Sequence, residues 1–375
     1  MLAAGSTPRA PVCKLSRVRS EHLGKVNRVV VKLGTGVVTD GRKRPDQVQF
    51  AQLVAQVAGL RAAGKEVIIV TSGAVGAGMG VLGYEERPPT LAERQACAAV
   101  GQSRLMATYE ALFRHYDLSV GQVLLTHEDL ADHTRHLNAR NTLITLLKRG
   151  VVPIINENDV VSVTELKFGD NDRLSALVAS LLPADLLVIL TTADGLIQDF
   201  GKPTACLLSV VERIDGGIEA MAGGTTSATA VGGMATKILA ARIVVRAGIP
   251  LVIASGRKFD SLARILSGAD EGTLFLPSPA KLPSRKRWIA FYHRPAGTLT
   301  VDAGAVRALR DQGRSLLAPG VVNVAGDFEA GDVVSIQDSE GSELARGIAR
   351  VPAAELPGEP QGRREVVHRD DLVLL

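Results

Sequence analysis

Asn156, Glu157, Asn158 and Asp159 directly follow the apolar run 151–155, and Asp170, Asn171 and Asp172 stand just before Arg173, Leu174, Ser175, Ala176 and Leu177. A buried strand that ends in Asn and Asp places polar groups at the carboxyl edge of a sheet, which in open α/β sheets is the edge where ligands bind. The second cluster has helix N-cap residues followed by helical apolar spacing, so it reads as a helix start. Together the clusters suit a polar cup that holds an amino group and organises charged side chains. Taken alone, either fits an ordinary turn equally well, because Asn and Asp favour turns.

Two further elements suggest phosphate. Lys32 precedes Gly34, Thr35 and Gly36 at the end of the apolar segment 29–33. Glycine there lets backbone N–H groups approach an anion, and the lysine adds positive charge. Gly232, Gly233, Met234, Ala235, Thr236 and Lys237 lead into a helical pattern, and a helix N-terminus with adjacent glycines is a natural phosphate cradle. Each of these alone reads more readily as a surface turn. Two of them at strand ends, with acidic clusters between, match phosphoryl transfer, which needs cationic clamps and carboxylates that organise them or a metal.

Two look-alikes fail on context. Gly59 to Lys65 spells Gly-x-x-x-x-Gly-Lys, but Glu66 follows where Ser or Thr should hold magnesium, and the order is helix then strand. Gly78, Gly80 and Gly83 match Gly-x-Gly-x-x-Gly but begin too long after the strand ending at Val70 for a dinucleotide turn.

The elements that must position these residues alternate. Strands are expected at 29–33, 67–70, 120–125, 151–155, 186–190 and 250–254, and helices at 46–63, 91–114, 137–148, 174–182 and 234–247. That alternation predicts an α/β, three-layer αβα sandwich around a mostly parallel sheet. Pro277, Pro279 and Pro283 then punctuate a linker. Strand-and-turn texture beyond it predicts a small β-rich second domain. The expected boundaries are a flexible extension over 1–26, a catalytic domain over 27–276, a linker over 277–287 and the β-rich domain over 288–375. Residues 1–26 are basic and lack the apolar centre of a secretory signal. An upstream start codon, or less readily a mitochondrial-type presequence, are the other readings.

Composition narrows the classes. The 375 residues suffice for two or three domains, and 46% hydrophobic with only 3% aromatic content suits an α/β enzyme better than a base-stacking protein. The balance of 43 basic against 39 acidic residues is too even to argue for nucleic acid. Cys13, Cys97 and Cys206 are far apart, which fits a reducing cytosol and offers no metal or disulfide framework. His133 and His136 lie one helical turn apart without a third ligand nearby, so they read as a solvated face. No uninterrupted apolar stretch approaches the roughly 20 residues a bilayer requires.

The separated motifs share an order with a known family. Lys32-Leu33-Gly34-Thr35, Thr71-Ser72-Gly73-Ala74, the 156–159 run, Gly169-Asp170-Asn171-Asp172 and Gly232-Gly233-Met234-Ala235-Thr236-Lys237 resemble the glutamate 5-kinase family of the amino acid kinase superfamily. Residues 99–105 and Arg285-Lys286-Arg287-Trp288 resemble it as well. The resemblance covers nearly the whole chain after Asn27.

It implies ATP-dependent phosphorylation of the γ-carboxylate of L-glutamate to L-glutamyl 5-phosphate, the first step of proline synthesis. By motif match, Lys32 and Lys237 would stabilise the phosphates and the transferring group, and Asp172 would hold both lysines in place. Ser72, Asn156, Asp159 and Asn171 would bind glutamate, with Asp159 facing its ammonium group. Thr191, Thr192 and the loop of Gly232, Gly233, Met234, Ala235 and Thr236 would contact the nucleotide together with the lysines. Magnesium would accompany ATP on phosphate oxygens and water, with no dedicated metal site in the protein. Proline would act as feedback inhibitor, the protein would be a cytoplasmic dimer or tetramer, and a glutamate-5-phosphate reductase is a candidate partner. The rival readings are another member of the superfamily and an RNA-binding regulator with a vestigial kinase domain.

Three positions depart from the family pattern: Gly36 where Ser is common, Thr192 where Asp is usual and Val231 where Thr is usual. The last two bear on ATP affinity or nucleoside preference and leave Lys32, Asp172 and Lys237 untouched. Residues 326–334 resemble a PUA domain, a module that binds RNA in tRNA-modifying enzymes. Its arginines are interspersed with acids and it has few aromatics, so a structural or regulatory role is expected rather than RNA binding.

Overall fold

The computed structural model describes residues 12–40, 44–162, 171–223, 233–279, 282–293, 295–356 and 364–375. Two compact units divide the chain, Met1–Lys281 and Leu282–Leu375. The division falls within the expected linker, but that linker is shorter than the prolines suggest. Ser284–Arg287 already forms a helical turn that continues as a wider π-turn over Trp288–Tyr292, and Arg287 is buried.

The first unit is built on strands β1 (Arg28–Leu33), β2 (Glu66–Val70), β3 (Val120–Leu125), β4 (Val152–Glu157) and β5 (Leu186–Thr191). A separate hairpin pairs β6 (Ile197–Gln198) with β7 (Cys206–Leu207), and β8 (Val210–Val211), β9 (Leu251–Ser255) and β10 (Thr273–Phe275) complete the set. The main sheet runs β3-β4-β2-β1-β5-β9-β10-β8. Its pairs are parallel except β9 with β10. The Val/Ile runs are continuous because helices cover both faces. Val29, Val31, Val67, Ile69, Val188 and Leu190 share one core with Phe50, Leu53 and Val57 of helix Gln47–Ala62. Six strands lie where the sequence predicts them; β8 and β10 are too short to carry a period.

Residues 12–26 differ from expectation, and residues 1–11 of the expected extension lie outside the described residues. Val12–Leu23 is a helix, not a flexible extension, and Leu23 and Val26 enter the core. Arg19, 0% exposed, is its anchor. Its guanidinium donates to the carbonyls of Ala269 (2.8 Å) and Ser209 (2.9 Å) and also to those of Glu271 and Gly272. Burial pushes the Arg19 pKa down, and the nearby Asp270 and Glu271 oppose that shift. Arg19→Ala strands these carbonyls, so we expect a loss of about 2–4 kcal/mol in denaturant unfolding. Unchanged unfolding would show the helix to be dispensable.

Both glycine look-alikes prove structural. Gly59 lies inside helix Gln47–Ala62, and Gly64 (φ +77°) follows it in the turn to β2. Gly78 and Gly80 sit within helix Ala74–Leu82, which Gly83 caps. Gly78 and Gly101 let that helix cross Leu91–Arg114 backbone to backbone. A Cβ on Gly101 would stand 1.7 Å from the Ala74 carbonyl oxygen, and one on Gly78 would stand 1.8 Å from that of Cys97.

In the second unit β11 (Gly297–Val301), β12 (Leu316–Leu317), β13 (Val321–Gly326), β14 (Val333–Gln337), β15 (Glu343–Ala349) and β16 (Glu365–Leu374) form one sheet. Its order is β12-β16-β15-β14-β11-β13, around a core that includes Leu299, Phe328, Ile336 and Val366. Among the described residues no helix is long and apolar enough to cross a membrane.

Candidate active site

The parallel register brings the carboxyl ends of β1, β2, β4 and β5 to one edge of the main sheet. Lys32 is the single charged residue of β1 after its first position, and it is 1% exposed. Helix Asn171–Leu181 begins at the same edge and carries Asp172 in its first turn, where a carboxylate complements the helix dipole. Asp172, 0% exposed, joins two lysines from different elements. Its Oδ1 lies 2.6 Å from Lys32 Nζ and its Oδ2 lies 3.0 Å from Lys237 Nζ. Lys237 comes from helix Met234–Arg246 and is 4% exposed. Thr236 Oγ1 of that helix stands 2.8 Å from both Asp172 Oδ2 and the Gly233 carbonyl oxygen. Asp172 thus holds two ammonium groups beside a helix N-terminus, and both kinds of group attract an entering phosphate.

A second cluster lies next to this one. Asn171 Nδ2 donates to the Thr71 carbonyl, to Ser72 Oγ at 3.1 Å and to Asn156 Oδ1 at 2.8 Å. Asn156 Oδ1 also accepts from the Glu157 N–H at 3.0 Å. The ends of β2 and β4 and one helix start are thus tied by a single carboxamide. Adjacent residues Asn171 and Asp172 reach into the two clusters. Asp159 sits in the turn after β4, where Asn158 N–H donates to the Leu125 carbonyl at 3.0 Å.

On the other side of β1, Gly34 N–H donates to the Leu190 carbonyl at 3.0 Å, which places the 34–36 turn against the end of β5. Thr191 ends β5 and Thr192 follows it. A Cβ on Gly36 would lie 3.0 Å from Thr192 Cγ2, so two of the departures from the family pattern meet in space, and glycine at 36 leaves room for the threonine methyl. Arg257 fixes the same turn by donating to the carbonyls of Gly36 (2.7 Å) and Thr39 (2.8 Å).

Lys32, Asp172, Thr236 and Lys237 therefore form one group, and Ser72, Asn156 and Asn171 another. Gly233, Met234 and Ala235 form the start of helix Met234–Arg246. Gly169, Asp170, Val231 and Gly232 lie outside the described residues. Sequence reasoning gave no role to Gln102, whose Oε1 accepts from Asn156 Nδ2 at 2.9 Å, or to Tyr109, whose hydroxyl lies 2.7 Å from Thr71 Oγ1. A glutamine on a helix gives no signal of a partner 54 residues away. Among the described residues no group of three or more His, Cys, Asp or Glu side chains could hold a metal ion.

Known proteins match this arrangement. The model of the amino acid kinase family matches residues 27–255, and that of the PUA domain matches residues 297–361. A glutamate 5-kinase of Moorella thermoacetica is 48% identical over 368 residues, spanning 94% of this chain and 97% of that protein. One from Citrifermentans bemidjiense is 48% identical over 373 residues, spanning 96% of this chain and 100% of its own. One from Methylococcus capsulatus is 45% identical over 362 residues, with 92% and 97% covered. Among solved structures, a carbamate kinase from Giardia lamblia bound to AMP-PNP superposes with a TM-score of 0.50 at 19% identity, over 68% of this chain and 100% of that one, a likeness of fold. The chain belongs to the amino acid kinase family and, within it, to the glutamate 5-kinases.

Proposed function

We propose that this chain transfers the γ-phosphoryl group of ATP to the γ-carboxylate of L-glutamate, giving L-glutamyl 5-phosphate for proline synthesis. The observation that carries the site assignment is the buried Asp172 carboxylate holding Lys32 on one oxygen and Lys237 on the other. The acceptor carboxylate is already an anionic nucleophile, so no general base is required. Its oxygen bonds to phosphorus in line as the bond to ADP breaks, and ADP leaves with the electron pair. The protein's part is to place the reactants and to neutralise charge on the moving group. Lys32 and Lys237 do the second, and Asp172 fixes where their ammonium groups stand.

Ser72, Asn156, Asn171 and Asp159 hold glutamate, with Asp159 paired to the α-ammonium. Thr191, Thr192 and residues 232–236 contact the nucleotide. Asp172 contacts two lysines, and among the described residues no carboxylate cluster offers magnesium a cage. Magnesium would come with ATP on its phosphate oxygens, as its oxygen preference and retained waters allow, and would neutralise phosphate charge there. Proline as feedback inhibitor near the glutamate site, a homo-oligomer, a glutamate-5-phosphate reductase as partner and a cytoplasmic location belong to the same reading.

Asp159→Ala tests the cup. Loss of a charge-assisted contact to the ammonium is expected to raise the KM for glutamate at least about tenfold. The kcat should stay within about threefold, because the contact is made equally in ground and transition states. An unchanged KM for glutamate in steady-state assays would remove Asp159 from the site.

A further inference from the structure

The 24-residue helix Leu91–Arg114 contributes no residue to either cluster, yet two of its side chains reach the strand ends that build the glutamate cup. Gln102 Oε1 accepts from Asn156 Nδ2 at the end of β4 (2.9 Å). Seven residues on, and so on nearly the same helical face, the Tyr109 hydroxyl meets Thr71 Oγ1 beyond the end of β2 (2.7 Å). Both contacts are held stiffly. Gly101 packs on the Ala74 backbone with no room for a side chain. The fully buried Tyr109 ring is wedged edge-on against Phe50, centroids 5.2 Å apart.

The Gln102 carbonyl at one end and the Glu157 backbone N–H at the other decide which way the Asn156 amide faces. Its Oδ1 accepts from two N–H groups, those of Glu157 and Asn171, while its Nδ2 donates to Gln102. The Glu157 N–H can only donate and Gln102 presents its Oε1, so a flipped Asn156 would set N–H against N–H at one end and oxygen against oxygen at the other. In the observed orientation the second Asn156 N–H has no partner among the described residues. A carboxylate needs such a donor, and a flipped amide would present it with an oxygen instead.

We propose that Gln102 is a positioning residue for the acceptor substrate: it locks the Asn156 carboxamide so that its N–H faces the amino acid's carboxylate. This rests on the assignment of Asn156 to the glutamate cup. Gln102 touches no reactant and acts through Asn156 alone.

The test is a double-mutant cycle in steady-state kinetics on the full chain, with Gln102→Met, Asn156→Ala and the double variant. Gln102→Met keeps the volume and removes the acceptor. It is expected to raise the KM for glutamate about tenfold, with kcat and the KM for ATP changed less than about threefold. The double variant should be no worse than Asn156→Ala alone, because the two residues act as one unit. Multiplying effects in the double variant, an equal rise in the KM for ATP, or a wild-type KM for glutamate in Gln102→Met would each overturn the proposal while leaving the cup intact. A wild-type KM for glutamate in Asn156→Ala would instead remove Asn156 from the cup and take the proposal with it. Should Gln102→Met fail to fold, Gln102→Asn withdraws the same carbonyl by one methylene and is read in the same way.

Discussion

Asp172→Asn is expected to injure stability and turnover together, and ATP should repair only the first. The variant leaves two buried lysines, 1% and 4% exposed, facing each other without the carboxylate between them. Removing one partner of a buried ion pair costs about 3–5 kcal/mol. Asp172 contacts both lysines, so its loss affects two buried cations at once. The polyphosphate of ATP supplies the missing negative charge, so saturating nucleotide should recover much of the lost melting temperature by mass action. Turnover should not recover. Without the carboxylate, the ammonium groups no longer stand where the transferring group develops charge, and kcat should fall by about 10²–10³-fold. Thermal melting with and without ATP, beside initial rates, checks both halves. Wild-type melting and wild-type kcat in this variant would show that Asp172 organises nothing.

Lys237→Ala should separate binding from chemistry. Lys237 Nζ is held 3.0 Å from Asp172 Oδ2, on the first turn of helix Met234–Arg246 rather than in the amide cluster of Ser72, Asn156 and Asn171 proposed for glutamate. A clamp that strengthens as charge moves onto the phosphoryl group contributes to the transition state more than to the ground state. Its loss should lower kcat by about 10²–10³-fold and change the KM for glutamate less than about threefold. Asp159→Ala should do the reverse. Full initial-rate surfaces in ATP and glutamate compare the two. The same kinetic signature in both variants would mean that the phosphate and glutamate clusters are not separate functional units.

Much of this was legible in the chain because the local signals agreed. Lys32 inside the otherwise apolar run 29–33, followed by Gly34, placed a cation at a strand end, which is where β1 carries it. Asn171 and Asp172 before an apolar helical pattern mark a helix start, and the six main strands carry their own Val/Ile runs. The rest was hidden for reasons of distance and context. Arg19 sits in a basic stretch that reads as solvated, and its carbonyl acceptors from Ser209, Ala269, Glu271 and Gly272 converge only after β10 has joined the sheet. Gly78 and Gly80 spell part of a nucleotide motif, yet they lie within a helix, and Gly78 serves a backbone crossing that no local pattern announces. Gln102 lies in a family-like segment, but its bond to Asn156 depends on the crossing that Gly101 permits.

The most direct measurement is ADP release by the purified chain with Mg-ATP, with and without L-glutamate, trapping the acyl phosphate with hydroxylamine. Direct transfer to the γ-carboxylate predicts glutamate-dependent ADP accompanied by γ-glutamyl hydroxamate, with both lost together in Lys237→Ala. ADP release that ignores glutamate, or hydroxamate formation that survives in Lys237→Ala, would contradict the account.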